Sequence, residues 1–392
     1  MSPVQIVGGA VLTPRGFEQQ SITLKGDTIA AVGENDRDVP TVVDATGLIV
    51  APGFVDIQIN GAFGQDFVSD PASIWGVGSR LVEHGVTSFL PTIITSPREA
   101  SQAALSALRA RPVGYAGAEP LGLHIEGPML SRARPGTHPV EHLVLPDASV
   151  IDGWSRAAGV AMVTIAPELP GASEVIADLA ALGVVIAAGH TNADAAQTLA
   201  AKALGVRAVT HLFNAMAPFK HREPNLAGVA LTDPELIAGL IVDGIHVDPV
   251  AVALAWSAKG PSGIALVTDA VAAMGEPDGN HQLGGQGIHA GTTGVRNSRG
   301  DLAGSNLTMD RAVRNLVEYT GCEPADALRS ASETPARLLN EPRLGSIIPG
   351  ATADLVVLDR DLHVQITVRA GVLLHIEPSA RDRVAPQLKE GR

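Results

Sequence analysis

The sequence predicts an α/β protein: a (β/α)8 TIM-like barrel with a small β-sandwich domain built from both chain ends. Three observations predict it. Eight apolar runs of strand length alternate with helical stretches through the middle of the chain; almost every run ends C-terminally in a group able to do chemistry; and the two chain ends share a different texture, short apolar runs broken by turn signals. A doubly wound open sheet is the alternative for the middle section.

At the N-terminal end the short runs are residues 5–7, 21–24, 28–33 and 42–44, and at the C-terminal end 345–348, 353–358 and 364–368. Chain ends often lie close together, so residues 1–49 plus 346–392 are read as one composite β-domain and 50–345 as the barrel. The eight barrel runs are residues 49–60, 87–94, 121–127, 161–168, 184–190, 208–214, 237–246 and 264–270, continuous enough in apolar character for buried parallel strands. Helical periodicity follows at 71–84, 98–109, 172–182, 193–204 and 249–259, while residues 217–234 read as a long proline-containing loop. A barrel of this kind typically takes about 250 residues.

Composition sets the limits. With 392 residues, 45% apolar and 3% aromatic, the chain can bury a sizeable core filled by Ala, Val, Leu and Ile. Its 28 Lys plus Arg against 41 Asp plus Glu give a net charge of −13, which opposes non-specific binding to nucleic acid or anionic membranes. Any anionic ligand must therefore be gripped locally. One cysteine, Cys322, excludes an internal disulfide framework and a Cys-rich zinc module and points to a reducing cytoplasm. The stretch Met1-Ser2-Pro3-Val4 lacks the features of a secretory signal, and no window of about 18 residues is apolar enough for a membrane span.

The chemistry lies at the strand ends. A catalytic zinc site takes three protein ligands, often two His and one carboxylate, and leaves a position open for water. Glu126, His190 and His211 supply that set from the third, fifth and sixth strands. The donor set suits Zn2+, with Fe2+, Co2+ or Mn2+ as alternatives. Hydrolysis also needs a group that moves a proton, and Asp269 at the end of the eighth strand is placed for it, its alternative role being a helix N-cap. His124, two residues before Glu126, shares its strand face and is assigned a supporting role. Residues 131–136 read as a mobile lid. His84, His142, His221, His281, His289, His363 and His375 read as surface or packing residues, and Gly76-Val77-Gly78 as part of a helix.

Six motifs in order, residues 52–61 (PGFVDIQING), 122–128 (GLHIEGP), 188–193 (AGHTNA), 210–216 (THLFNAM), 243–246 (DGIH) and 267–270 (VTDA), resemble those of the N-acetylglucosamine-6-phosphate deacetylase family of the amidohydrolase superfamily. The resemblance runs nearly the whole chain, to residues 355–358. It implies hydrolysis of N-acetylglucosamine 6-phosphate to glucosamine 6-phosphate and acetate, in amino-sugar catabolism and cell-wall recycling. It also implies that Glu126, His190 and His211 hold one divalent metal, Zn2+ being the expected ion, and that Asp269 is the general acid/base, with His138 beside the amide carbonyl. Contacts to the phosphosugar are implied for Thr137, His138, Asn214, Ala215, Arg222, Asp243, Gly244, Ile245, His246, Leu302, Ala303 and Gly304. Arg222 is placed to cross into a neighbouring subunit, so a homodimer or homotetramer is expected.

Many superfamily members carry His-x-His at the end of the first strand and bind two metals; here the pair is Gln58 and Asn60. Neutral amides are poor ligands, so one tight metal is expected, with room for a weak second ion near Gln58. The alternatives are a related amidohydrolase acting on another N-acyl or cyclic amide and a non-catalytic barrel kept for assembly.

Overall fold

The computed structural model describes residues 3–34 and 39–386. Residues 1, 2, 35–38 and 387–392, all assigned above to the terminal domain, lie outside the described residues. The same holds for Met1 and Ser2 of the N-terminal stretch judged not to be a signal.

Eight parallel strands form the barrel: Phe54–Ile59, Val86–Ile94, Leu123–Glu126, Val160–Ile165, Val185–Ala188, Val206–Val209, Ile237–Leu240 and Ile264–Leu266. Each pairs with the next, and the ring is brought nearly to closure by one parallel bridge between Ile59 and Ala270. The strands are buried on both faces, as expected where helices cover a parallel sheet. A side-chain bond reinforces the closing seam: the buried Asp56 carboxylate accepts from the Thr268 hydroxyl at 2.5 Å.

Three expectations need correction. The run 49–60 is two strands in different sheets, Ile49–Pro52 in the terminal sheet and Phe54–Ile59 in the barrel, separated at Gly53. Strands five to eight are shorter than their apolar runs and stop at Ala188, Val209, Leu240 and Leu266. The residues that follow are buried but leave the ladder, because His190, His211 and Asp269 have φ of 48°, 30° and 46°, which a strand cannot accommodate. Finally, the proline-containing segment 217–234 includes a helix, Asn225–Thr232, with Leu226, Ala227, Val229 and Ala230 buried. Pro224 stands at its N-cap, a position where the missing N–H costs nothing, so the proline starts the helix instead of preventing it.

Among the described residues the terminal sheet has nine strands. Val4–Thr13, Gly16–Lys25, Thr28–Val32, Thr41–Asp44 and Ile49–Pro52 come from the N-terminal end, and Leu355–Leu358, Val364–Arg369, Val372–Ile376 and Val384–Pro386 from the C-terminal end. The two ends join where Ile49–Pro52 runs antiparallel to Leu355–Leu358. This sheet has its own apolar core, including Ile6, Ile22, Val50, Leu355 and Ile366. The limits expected from the sequence are 1–49 plus 346–392 and 50–345; because Ile49–Pro52 pairs in the terminal sheet, we propose 1–52 plus 346–392 and 53–345 as working limits for the two units.

An insertion that the sequence reading missed follows the eighth strand. It is a three-stranded antiparallel sheet, Gly279–Leu283, Gln286–Gly291 and Gly294–Asn297. Leu283, Ile288, Ala290 and Val295 pack with Ile94 at the end of the second barrel strand, so the insertion sits over one side of the barrel mouth. Among the described residues no helix is long and apolar enough to cross a membrane.

Gly53 carries the chain from one sheet to the other. A Cβ there would lie 2.2 Å from Thr87 Oγ1 and 2.3 Å from Thr87 Cγ2. Gly53→Ala is therefore expected to lower stability by about 1–3 kcal/mol, the usual cost of overpacking. In urea denaturation the midpoint should fall with the slope unchanged; a midpoint equal to that of the unsubstituted protein would show that the junction has slack.

Candidate active site

A cavity of about 610 Å3 opens at the C-terminal end of the barrel strands. At its floor the Glu126 carboxylate, buried at the end of the third strand, meets two imidazoles: Oε1 lies 3.1 Å from His190 Nε2 and 3.0 Å from His211 Nε2, and the two nitrogens are 3.0 Å apart. Burial works against ionising Glu126, but the imidazoles of His190 and His211 beside it hold its carboxyl well below the usual carboxylate range.

These residues fit a divalent cation. His190 Nδ1 faces the Arg134 carbonyl at 2.9 Å, and since a carbonyl only accepts, Nδ1 carries the proton and the Nε2 lone pair points inward. The His190 lone pair, His211 Nε2 and a carboxylate oxygen then share a triangle about 3 Å on a side, a spacing suited to ligands each about 2 Å from one ion. His138 also approaches, with Nε2 3.9 Å from Glu126 Oε2, and Glu126, His138 and His190 present ligand atoms within 4.8 Å of one another. His138 is nevertheless not a ligand in this arrangement. Its Nδ1 accepts the Thr95 backbone N–H at 3.2 Å, so the proton sits on Nε2, where a ligand would need its lone pair. Burial and the neighbouring His190 push the His138 imidazole down to about 3, which keeps it neutral and makes Nε2–H a donor toward the cavity.

Asp269 stands opposite. Its Oδ1 accepts from Asn60 Nδ2 at 2.7 Å and from Gln58 Nε2 at 3.3 Å. The backbone is held from both sides, by its own N–H to Gln58 O at 2.8 Å and by its carbonyl accepting from Ser305 N at 2.8 Å. With Oδ1 occupied, Oδ2 is left for a proton. Burial, then the Glu126 charge, raises the carboxyl to about 6. No helix starts at Asp269, so its capping alternative is excluded. Gln58 and Asn60 act as amide donors that aim the Asp269 carboxylate, a part the sequence reading missed by treating them only as absent metal ligands. Their period-two spacing on a strand, both pointing inward, was the available signal.

His246 reaches the wall through a local brace. Asp243 Oδ2 accepts from His246 Nδ1 at 2.7 Å, and its Oδ1 accepts from the N–H groups of Ile245 and His246. Nε2 is thereby turned away from the brace and toward the cavity. Burial opposes ionisation of Asp243, but His246 and these N–H groups hold it below its ordinary value.

Of the residues expected at the site, the structure brings Glu126, Thr137, His138, His190, His211, Asn214, Ala215, His246, Asp269, Leu302 and Gly304 to the cavity. Asp243, Gly244 and Ile245 lie outside its lining and touch it through His246, and Ala303 is buried in the insertion's core. Arg222 is exposed on the loop before helix Asn225–Thr232 and does not line the cavity of its own chain. Arg296 and Arg299 of the insertion do line it and were not anticipated. His124 bonds the Ile57 carbonyl and Thr164 Oγ1, one layer beneath the site, and not the ligand trio. Residues 131–136, read as a mobile lid, are tied down: Ser131 N donates to His190 O, Arg132 to the carbonyls of Val140 and Leu143, and Arg134 Nε to Asn192.

Among the described residues, three of the five buried polar atoms without a partner are here: Asn60 Oδ1, Thr137 Oγ1 and His211 Nδ1. Buried polar atoms are almost always paired, so this concentration marks a ligand site. Positive φ values gather at the same place, at His190, His211, Phe213, Ala215 and Asp269. Such strain is typical of active sites.

A model of the amidohydrolase family matches residues 49–384. The chain belongs to the amidohydrolase family. This amidohydrolase is 42% identical over 353 residues to the N-acetylglucosamine-6-phosphate deacetylase of Bos taurus, with 86% of each chain covered. It is 38% identical over 340 residues to that of Bacillus subtilis, with 85% of this chain and 86% of the relative covered. Solved structures agree in fold. The Thermotoga maritima deacetylase matches with a TM-score of 0.87 at 29% identity, covering 95% of this chain and 100% of the other. A mutant of the Mycobacterium smegmatis deacetylase in complex with N-acetyl-D-glucosamine-6-phosphate matches at 0.87 and 34%, covering 96% and 100%.

Extensively dialysed protein is expected to retain about one divalent ion per chain, with none in His190→Ala or His211→Ala. Asn60→Leu should keep the ion. Elemental analysis checks each, and normal metal in a histidine variant would remove that residue from the ligand set.

Proposed function

We propose that this amidohydrolase hydrolyses N-acetylglucosamine 6-phosphate to glucosamine 6-phosphate and acetate, in amino-sugar catabolism and cell-wall recycling. The observation that carries the reading is the pairing of the Glu126, His190 and His211 cluster with an Asp269 whose Oδ1 is already engaged by Asn60. Relatives with that activity printed in their names, alike over most of the chain, supply the substrate.

A divalent cation held by Glu126, His190 and His211 supplies Lewis acidity, drawing electron density from the amide carbonyl and making water easier to deprotonate. Zn2+ is our assignment, one ion per chain. Asp269 Oδ2 takes the proton as water adds to the carbonyl carbon, while Asn60 and Gln58 keep Oδ1 from rotating into its place. The His138 Nε2–H donates to the carbonyl oxygen as negative charge develops there, and its neutrality lets it do so without a second buried charge. Asp269 then delivers its proton to the amine nitrogen as the C–N bond breaks, so that acetate and the free amine leave. The phosphate is assigned to His246, to backbone N–H groups near Asn214 and Ala215, and to Arg222 from a second subunit of a homodimer or homotetramer. Cys322, free and half-buried, suits a reducing compartment, and we assign the enzyme to the cytoplasm.

Acetate release from the phosphorylated and plain sugars tests the reading. Turnover should be confined largely to the phosphosugar, and Asp269→Asn should lose at least about 10²-fold in kcat while still binding substrate. A reversed preference would indicate another N-acyl amide as substrate.

Arg222→Ala should lower kcat/KM for the phosphosugar by about 10²–10³, the loss of a charge-assisted contact. Mixing Arg222→Ala with Asp269→Asn subunits should restore activity, since in a hybrid dimer one site escapes both defects. No recovery on mixing, with hybrids shown to form, would place the Arg222 contact within its own chain.

A further inference from the structure

We propose that the insertion after the eighth strand is a clamp on the catalytic loop, with Arg299 and Gln286 as its positioning residues. The loop in question, residues 131–138, serves the site twice. Its Arg134 carbonyl fixes the ring of His190, and it ends in His138, the donor. Between them Gly136, at φ 55°, lies directly against the metal-ligand ring: a Cβ there would be 3.2 Å from His190 Cε1. A shift of this segment therefore moves the His190 ring and the His138 donor together.

Inner bonds tie the loop to the fifth-strand end, whereas its outer edge is held by the insertion. Arg299 Nη2 donates to the Gly136 carbonyl at 2.9 Å and Gln286 Nε2 to the Thr137 carbonyl at 3.2 Å. Both bonds reach across about 150 residues of sequence to consecutive carbonyls.

Arg299 is built for this task. Its turn is closed by Asn297, whose Oδ1 accepts from the N–H groups of Arg299 and Asp301 at 2.9 and 3.1 Å. Asp301 Oδ2 holds the guanidinium Nε at 3.0 Å, which both aims the side chain and offsets its charge. An arginine neutralised and oriented in this way serves the Gly136 carbonyl better than it serves an anion in the cavity. The turn rests on the insertion's core, which is anchored on Ile94; Thr95, the next residue, holds His138 Nδ1. The clamp and the inner anchor of the donor thus share one strand end.

The effect on turnover rests on the deacetylase reading, so the test includes a readout that needs no substrate. Arg132–Ala133 is a trypsin site inside the loop. In the metal-loaded enzyme Arg299→Ala should speed cleavage there by about fivefold, the effect of one lost hydrogen bond on local opening, with cleavage elsewhere unchanged apart from the Arg299–Gly300 site that the substitution itself removes. On N-acetylglucosamine 6-phosphate, kcat should fall roughly 10- to 100-fold, as for a misplaced catalytic group, with KM nearly constant. Arg299→Lys, which keeps a donor, should recover most of both, and Gln286→Ala should show a weaker version if Arg299→Ala folds poorly. Unchanged cleavage at Arg132–Ala133 in Arg299→Ala and Gln286→Ala overturns the clamp, even if kcat falls. A higher KM with kcat intact overturns it too, and makes Arg299 an anion-binding residue. Faster cleavage without turnover of the phosphosugar by the unsubstituted enzyme would leave the clamp standing and count against the substrate assignment alone.

Discussion

Two imidazole nitrogens, on His190 and His211, stand 3.0 Å apart against one oxygen of a buried carboxylate, and the barrel mouth is organised around that triangle. In an apolar interior such a set wants a shared positive charge, and the surrounding structure holds it ready to receive one. His190 and His211 both sit at positive φ, where a residue with a Cβ is strained by about 1–3 kcal/mol. The parallel ladder and the packed strands beneath them offset that cost. A bound cation adds stability by mass action, because only the folded chain brings these three atoms together.

The rest of the site follows from what the triangle leaves free. Four polar side chains have one atom committed to the scaffold and another turned inward: Nδ1 of His190 to a carbonyl, Nδ1 of His138 to a backbone N–H, Nδ1 of His246 to Asp243, and Oδ1 of Asp269 to Asn60. Tautomer and proton capacity are thereby set before any substrate arrives. This is the preorganisation that hydrolysis of an amide demands, since reorientation during the reaction would add to the barrier. Gln58 and Asn60 show the consequence most clearly. As amides they contribute little to a metal, and as donors they leave Asp269 with a single oxygen for the proton.

Much of this was legible in the sequence, for identifiable reasons. Parallel strands buried on both faces give long apolar runs, so the eight-fold alternation survives without an alignment, and the candidate functional residues stand near the ends of most runs. Strand ends were less legible, because residues such as Val242 and Leu212 stay buried after the ladder stops. The helix Asn225–Thr232 was hidden by the proline that starts it. The insertion was hidden by short strands rich in Gly and polar residues, whose apolar positions make sense only against Ile94. Arg299 had no local signal at all, since its partner is a backbone carbonyl far away in sequence. Arg222 was singled out through family likeness, and the structure leaves it exposed on its loop, outside the cavity of its own chain.

The central claim is that one cation in the Glu126, His190 and His211 triangle works with Asp269 on an N-acetylated phosphosugar. Titration of metal-stripped protein with Zn2+, followed by acetate release from N-acetylglucosamine 6-phosphate, tests it most directly. Activity should rise linearly and level off at about one equivalent per chain. Activity that persists without metal, or that stays absent until a second equivalent is bound, would contradict it.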